Sequence, residues 1–230
     1  MTKPVRESPG LTETDRLETF CDGVFAIAIT LLVLEIRLPA DAHVAGSGDL
    51  FRALARLWPS YIAYTIGFLT LGIMWANHHS IFQYVRRTDR YFLLINVVFL
   101  MCVSFLPFPT RVVAEHLADP EARQAAMVVY SATLVVIALA YNAVWRYAVA
   151  GGRLLDPDAD MEGVRTISRR YLLGPVSYGV AFALAFVNAW ASIAVHALLA
   201  GLYMLPERDA VRAQTKTLAR PARRESAGSG

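Results

Sequence analysis

The sequence predicts an all-α membrane protein with six membrane-spanning helices in each chain. Hydrophobic residues make up 56% of the 230 positions and charged residues only 18%, whereas soluble domains average about 45–50% and about 25%. The apolar residues are gathered in runs of roughly 20, the length that a helix needs to cross a hydrocarbon core of about 30 Å. The basic residues concentrate between alternate runs, which is typical of loops on the cytoplasmic side.

Four apolar runs are each long enough for one span, and they cover about residues 17–38, 57–77, 91–110 and 125–145. A further stretch, residues 171–205, has 35 residues and is too long for a single span. At its middle lies Asn188-Ala189-Trp190, where a tight hairpin predicts two short helices; one long tilted helix is the alternative. In the third run, Pro107 and Pro109 predict a turn that ends the helix.

The distribution of Lys and Arg favours six spans over five. With six spans and a cytoplasmic N-terminus, seventeen basic residues lie on the cytoplasmic side and five on the opposite side. Five spans would place eleven on each side. We therefore expect both termini in the cytoplasm, with an N-terminal arm at 1–14, a six-helix membrane domain at 15–206 and a basic, flexible tail at 207–230.

Several function classes are excluded by what the sequence lacks. It contains no P-loop, GxSxG, HExxH or dinucleotide-binding fingerprint, and no large loop outside the apolar runs. Its two cysteines, Cys21 and Cys102, cannot form a disulfide framework or a CxxC metal site. We therefore expect neither an enzyme nor a cofactor, and membrane lipid rather than nucleic acid as a partner. A carbonyl filter loop of the TVGYG type is also absent.

Polar side chains occur at the inner ends of three spans, where burial in lipid is costly unless they are paired. In the six-span topology Asp22, Asn96 and either His78 or His79 share one depth, and Arg16 lies just below. Three interpretations are open: a structural network joining these helices, a proton-sensing or proton-relay role for the histidines, and a metal or haem site. Adjacent histidines point about 100° apart on a helix, so they chelate one ion poorly.

One face of the first span is apolar along its length. Residues at helical spacing form this stripe: Phe20, Val24, Ile27, Leu31 and Leu34. Thr30 borders the stripe, while Asp22 and Phe25 point to the opposite side. A stripe of this kind fits contact with lipid, with a bundle core or with a pore, and the periodicity does not distinguish them.

The run that begins at Arg16, RLETFCD followed by GVFAIAITLLVLEIRLP, resembles the RxxxFSD signature of the transmembrane protein 175 family of potassium channels. Further similar stretches are residues 75–79, Asn96 with residues 104–110, and residues 188–190 with 203–206. The likeness extends over residues 14–206. Cys21 stands where the family usually has Ser, and a thiol is a weaker hydrogen-bond donor than a hydroxyl.

This resemblance implies a passive, homotetrameric channel of a bacterial or archaeal inner membrane, with helix 1 of each subunit lining the pore. Aligned from Phe20, the family's constriction falls on Ile27, and further apolar layers fall on Leu31 and Leu34. Thr30 falls on a position whose hydroxyl is assigned to ion selectivity in some prokaryotic members. The permeant ion is expected to be potassium, with modest selectivity over sodium.

In the same interpretation the inner polar residues brace the helices. This bracing set is Arg16, Phe20, Cys21, Asp22, His78, His79 and Asn96. The main alternative is a proton-coupled secondary transporter that uses Asp22 with His78 or His79 as its proton site. Such a carrier would show saturating flux driven by a pH gradient instead of passive ion flow.

Overall fold

The computed structural model describes residues 13–38 and 46–204, so most of the predicted N-terminal arm and all of the predicted basic tail lie outside it. Within these ranges the chain is all-α, as predicted, and its only β feature is an isolated bridge between Val85 and Leu155. Eight helices follow in chain order: α1 (Glu13–Leu31), α2 (Ser47–Arg56), α3 (Trp58–Phe82), α4 (Arg90–Phe105), α5 (Pro107–His116), α6 (Arg123–Val149), α7 (Met161–Ala185) and α8 (Ala189–Met204).

Three continuous helical segments in the described residues, called rods below, are long and apolar enough to cross a membrane: Thr14–Glu35, Arg90–His116 and Arg123–Gly152. The first is α1 extended by a 3-10 turn over Leu32–Glu35. The pair α2 and α3, which meet at a bend of 49°, makes a fourth rod if the two are one span. The sixteen residues of α8 are apolar but short, so six crossings remain a prediction.

The predicted end of the helix at Pro107 is confirmed in part, because α4 ends at Phe105 and Leu106 forms a single turn residue. The span does not end there, however, because α5 continues from Pro107 to His116. Pro107 occupies the first position of α5, where its missing N–H breaks no hydrogen bond of the new helix. The third rod is therefore about two turns longer than the apolar run suggested.

The long apolar stretch near the C-terminus breaks where the sequence predicts a hairpin, so the single-helix alternative is wrong. Helix α7 ends at Ala185 and α8 begins at Ala189, and the two helices pack against each other. The carboxamide oxygen of Asn188 accepts hydrogen bonds from the backbone N–H groups of Trp190 and Ala191, at 2.9 and 3.1 Å. Asn188 thus caps the start of α8.

Two loops at the predicted cytoplasmic ends of the helices are joined by ion pairs. Arg86 Nε lies 2.7 Å from Asp156 Oδ2, and Arg153 Nη2 lies 3.1 Å from Asp89 Oδ2. Asp89 also caps α4 by accepting from the backbone N–H of Phe92 at 2.8 Å. The Phe92 N–H lowers the pKa of Asp89, and the Arg86 guanidinium lowers the pKa of Asp156.

Helix α1 packs against α3 and α4 through one apolar face. That face consists of Leu17, Cys21, Phe25, Ala28 and Leu32, all fully or almost fully buried. The periodicity of about 3.6 residues per turn places these side chains on the side away from Ile27. Helix 1 is thereby fixed to the protomer by one face and leaves the other free.

Candidate functional site

The apolar stripe of helix 1 lies on the surface of the single chain. The exposed fractions are 56% for Phe20, 61% for Ile27, 39% for Leu31 and 53% for Leu34. Val24 is partly buried and packs against the core. Exposed apolar side chains in a row along a membrane helix need lipid, another subunit or an apolar pore as their surroundings.

Thr30 lies beside this stripe and is also exposed. Its hydroxyl lies 2.9 Å from both the Ala26 and the Ile27 carbonyl oxygens, so its proton is taken up by its own helix. Thr30 therefore places one hydroxyl oxygen beside the apolar stripe, on an exposed part of α1.

His78 and Asn96 meet in the core, as the shared depth in the sequence predicts. His78 Nε2 and Asn96 Oδ1 are 3.0 Å apart, and both residues are fully buried. The Asn96 amide donates to the Phe92 carbonyl at 2.9 Å, so its oxygen faces the histidine and His78 donates from Nε2. This hydrogen bond connects α3 to α4 in an apolar environment.

Aromatic rings enclose the His78 imidazole. Phe99 stacks on it with ring centroids 5.3 Å apart, and Phe82 meets it edge-on at 5.2 Å. Phe25 of α1 lies 5.7 Å from the same ring. His78 is therefore held on several sides, and its place in the packing connects three helices.

The other polar residues form a second group between α1 and α3, nearer the surface. Trp75 Nε1 donates to Asp22 Oδ1 at 2.8 Å, and His79 Nδ1 lies 2.7 Å from Glu18 Oε1. No hydrogen bond joins Asp22 to either histidine among the described residues. The polar residues at this depth thus divide into a buried pair and a partly exposed group.

Arg16 and Cys21 lie apart from these hydrogen bonds. Arg16 is exposed and makes no ion pair with Asp22 in the described residues. Cys21 is completely buried on the core face of α1. Asn142 donates to the Tyr171 carbonyl at 2.7 Å and so connects α6 to α7.

The sequence interpretation missed two residues of this site: Glu18, and Trp75 as the hydrogen-bond donor to Asp22. Glu18 and Asp22 are four residues apart, and this spacing places both carboxylates on one face of α1. That signal was available in the sequence. The partnership of Trp75 with Asp22 was not, because it depends on how α3 is rotated against α1.

Comparisons with known proteins agree on one family. A family profile described as endosomal/lysosomal potassium channel TMEM175 matches residues 16–107. A protein named potassium channel from Chamaesiphon minutus is 47% identical, and the alignment covers 86% of this chain and 97% of that relative. A chicken protein named endosomal/lysosomal proton channel TMEM175 is 38% identical over 44% of this chain and 21% of its own length.

A solved structure shows the same fold. The crystal structure of a lysosomal potassium-selective channel TMEM175 homolog from Chamaesiphon minutus superposes with a TM-score of 0.74 at 43% identity. The superposition covers 83% of this chain and 96% of that one.

Proposed function

Because the chain belongs to the TMEM175 family of ion channels and is not an enzyme, we propose that it is a passive, potassium-permeable channel of a bacterial or archaeal inner membrane. Six spans with both termini in the cytoplasm fit the basic loops. The observation that carries the proposal is the exposed apolar stripe of α1, centred on Ile27, in a chain 47% identical to a protein named potassium channel.

The pore is formed at the axis of a homotetramer, where the α1 helices of four subunits meet. Each α1 is anchored by Phe25 and Leu32 to its own protomer and presents Ile27 on the opposite side. An apolar face that is exposed in one chain is covered when copies assemble around it. Modest potassium-over-sodium selectivity follows because potassium is the more readily dehydrated of the two ions.

Ile27 forms the main constriction, and Leu31 and Leu34 add apolar layers toward the outer end. A ring of branched side chains closes a pore by steric contact and by excluding water. Opening requires these rings to spread or rotate. Thr30 supplies the weak oxygen ligands within this passage. Its hydroxyl proton is donated to carbonyl oxygens of its own helix, so its oxygen can still accept an ion.

The inner polar residues brace α1 against its neighbours. Asp22 with Trp75 joins α1 to α3, and His78 with Asn96 joins α3 to α4. Arg16, Phe20, Cys21 and His79 complete the proposed bracing set, with Arg16 acting from an exposed position. Unpaired polar groups at membrane depth are costly, so these contacts favour one arrangement of the three helices.

A proton pathway is the second candidate, because the chicken relative carries the name of a proton channel. The earlier alternative of a proton-coupled transporter required Asp22 and a histidine to act as one site. Asp22 instead accepts a hydrogen bond from Trp75, His78 is bound by Asn96, and His79, although close to Asp22, is paired with Glu18. The proton pathway to be tested is therefore direct permeation of protons through the α1 pore.

Flux measurements on the purified full chain in liposomes separate these candidates. We expect passive potassium uptake that exceeds sodium uptake, together with cross-linking of the same sample to a tetramer. In a separate assay potassium is more concentrated inside the liposome, so its exit makes the lumen negative and draws protons in. Acidification of the lumen that appears only when a protonophore is added then indicates a potassium pathway, whereas acidification without a protonophore indicates proton permeation. Saturable ion uptake driven by a pH gradient would contradict a channel, and the absence of cross-linked tetramer would contradict the shared pore.

A further inference from the structure

The partly exposed group between α1 and α3 has the composition of a metal site. One ligand atom from each of Glu18, Asp22 and His79 lies within 4.8 Å of the others. The two carboxylates come from successive turns of α1 and the imidazole comes from α3. This set differs from the pair of adjacent histidines considered from the sequence, because His78 is turned into the core.

The negative charge of the two carboxylates in the group favours binding of a cation. Glu18 and Asp22 lie one turn apart, where like charges repel. Among the described residues no Lys or Arg lies within 4.0 Å of either carboxylate, and the only basic partner is His79. A divalent ion would neutralise both carboxylates at once.

The donor atoms select the class of metal. One imidazole nitrogen with two carboxylates suits Zn²⁺ and similar transition ions, whereas Mg²⁺ and Ca²⁺ prefer oxygen ligands only. Bond lengths of about 2.0–2.2 Å around Zn²⁺ separate ligand atoms by about 3.4 Å. His79 Nδ1 and Glu18 Oε1, now 2.7 Å apart, would therefore move slightly apart to admit the ion.

The surroundings already orient one ligand. Trp75 Nε1 donates to one oxygen of Asp22 and leaves the other oxygen free for an ion. Hydrogen bonds of this kind hold metal-binding carboxylates in position. His79 is about half exposed in the single chain, so the three side chains do not enclose the site and leave a fourth position for another ligand.

We propose that Glu18, Asp22 and His79 form a binding site for a divalent transition-metal ion that bridges α1 and α3. Each chain holds one such site, near the inner end of the first helix. Ion binding joins the two helices more strongly than the hydrogen bond between Glu18 and His79 does, because a metal contacts all three side chains. The site is independent of which ion passes through the pore.

The test uses tag-free, detergent-purified full-length protein titrated with Zn²⁺ by calorimetry and with Co²⁺ by visible absorption. We expect one equivalent to bind per chain, with a rise in the thermal unfolding temperature, since an ion that binds the folded state stabilises it. His79→Gln and Glu18→Gln should each weaken binding by at least about tenfold. The matched controls His116→Gln and Glu162→Gln alter exposed residues outside the group and should bind as the unaltered protein does.

Thermal unfolding without metal establishes that each variant is folded before it is titrated. Two variants are used so that a folding defect in one does not remove the test. Loss of binding in both site variants, with retention in both controls, supports the bridge between α1 and α3. Undiminished binding in His79→Gln and Glu18→Gln, or no saturable binding by the unaltered protein, would overturn it.

Discussion

At the scale of single residues, Thr30 offers a test of selectivity separate from the constriction. Thr30→Val keeps the shape of the side chain but removes its oxygen, so we expect potassium flux to persist while the potassium-over-sodium ratio falls. Thr30→Ser, which keeps the hydroxyl, should retain the ratio. Thr65 is an exposed threonine of α3 with the same bond to its own helix, at 2.8 Å, so Thr65→Val is the matched control. An unchanged ratio in Thr30→Val would remove Thr30 from the ion path.

The buried pair His78 and Asn96 gives a second prediction at this scale. Asn96→Leu leaves the Nε2–H of His78 without an acceptor in the core, which costs about 1–3 kcal/mol of folding stability. Replacing both residues by Leu removes the orphaned donor, so the double variant should regain part of the loss. Thermal unfolding in detergent measures both. Additive losses in the double variant would show that the two side chains do not act as a pair.

The position and partner of a single residue were predictable from the sequence only where the signal lies within one helix or in a shared membrane depth. Periodicity places Phe25 on the side of α1 opposite Ile27 without saying which side is buried, and the common depth predicts that either His78 or His79 meets Asn96. The partner of Asp22 depends on the rotation of α3 against α1, which no spacing within a helix encodes. Arg16 and Asp22 lie six residues apart on the same helix, a spacing that points their side chains about 120° apart around α1, so they do not pair.

At the scale of the elements, the contact of Asp22 with Trp75 connects the proposed pore helix to α3. Asp22→Ala should therefore lower the yield of assembled tetramer more than it alters the preference between potassium and sodium. Asp119→Ala, at an exposed turn between α5 and α6, is the control and should assemble normally. Size-exclusion chromatography and ion flux on the same preparation measure the two effects. A fully assembled Asp22→Ala protein with altered ion preference would contradict the bracing role.

The loops next to α4 and α6 give a prediction for acid stability. Asp89 and Asp156 each have a pKa below the usual carboxyl value in the folded chain. The contribution of these two carboxylates to folding stability is therefore complete above about pH 4, the usual carboxyl pKa, and is lost as the pH falls through the lowered folded pKa. We expect the unfolding temperature to drop below that pH, and to drop less in Asp89→Ala because one such group is gone. An identical acid profile in both proteins would contradict this linkage.

Element boundaries were predictable where apolar runs end in polar residues and less so at prolines. The break near Asn188 follows from length, because 35 apolar residues exceed one span. Pro107 marks the break between α4 and α5 but does not end the third rod, since a proline at the first position of a helix starts a segment as readily as it stops one. The helix α2 was not predicted, although Leu50, Phe51 and Leu54 at helical spacing carry the signal of an amphipathic helix.

At the scale of the whole molecule, the sequence predicts the orientation of the chain in the membrane, and the family resemblance predicts the tetrameric assembly. The excess of basic residues between alternate runs predicts which ends face the cytoplasm. Nothing in one chain's periodicity states what covers the exposed stripe of α1, since lipid and a neighbouring subunit favour the same apolar side chains. The shared pore therefore rests on the family relationship together with the exposure of Ile27.

The most direct test of the shared pore compares Ile27→Asn with Val98→Asn in liposome flux assays. Val98 is an exposed apolar residue of α4, 52% exposed against 61% for Ile27, so it controls for an added polar group on the membrane surface. We expect Ile27→Asn alone to raise resting ion flux and to reduce discrimination between potassium and sodium, because a polar ring hydrates the constriction. Unchanged flux in Ile27→Asn, or an equal rise in both variants, would contradict a pore lined by helix 1.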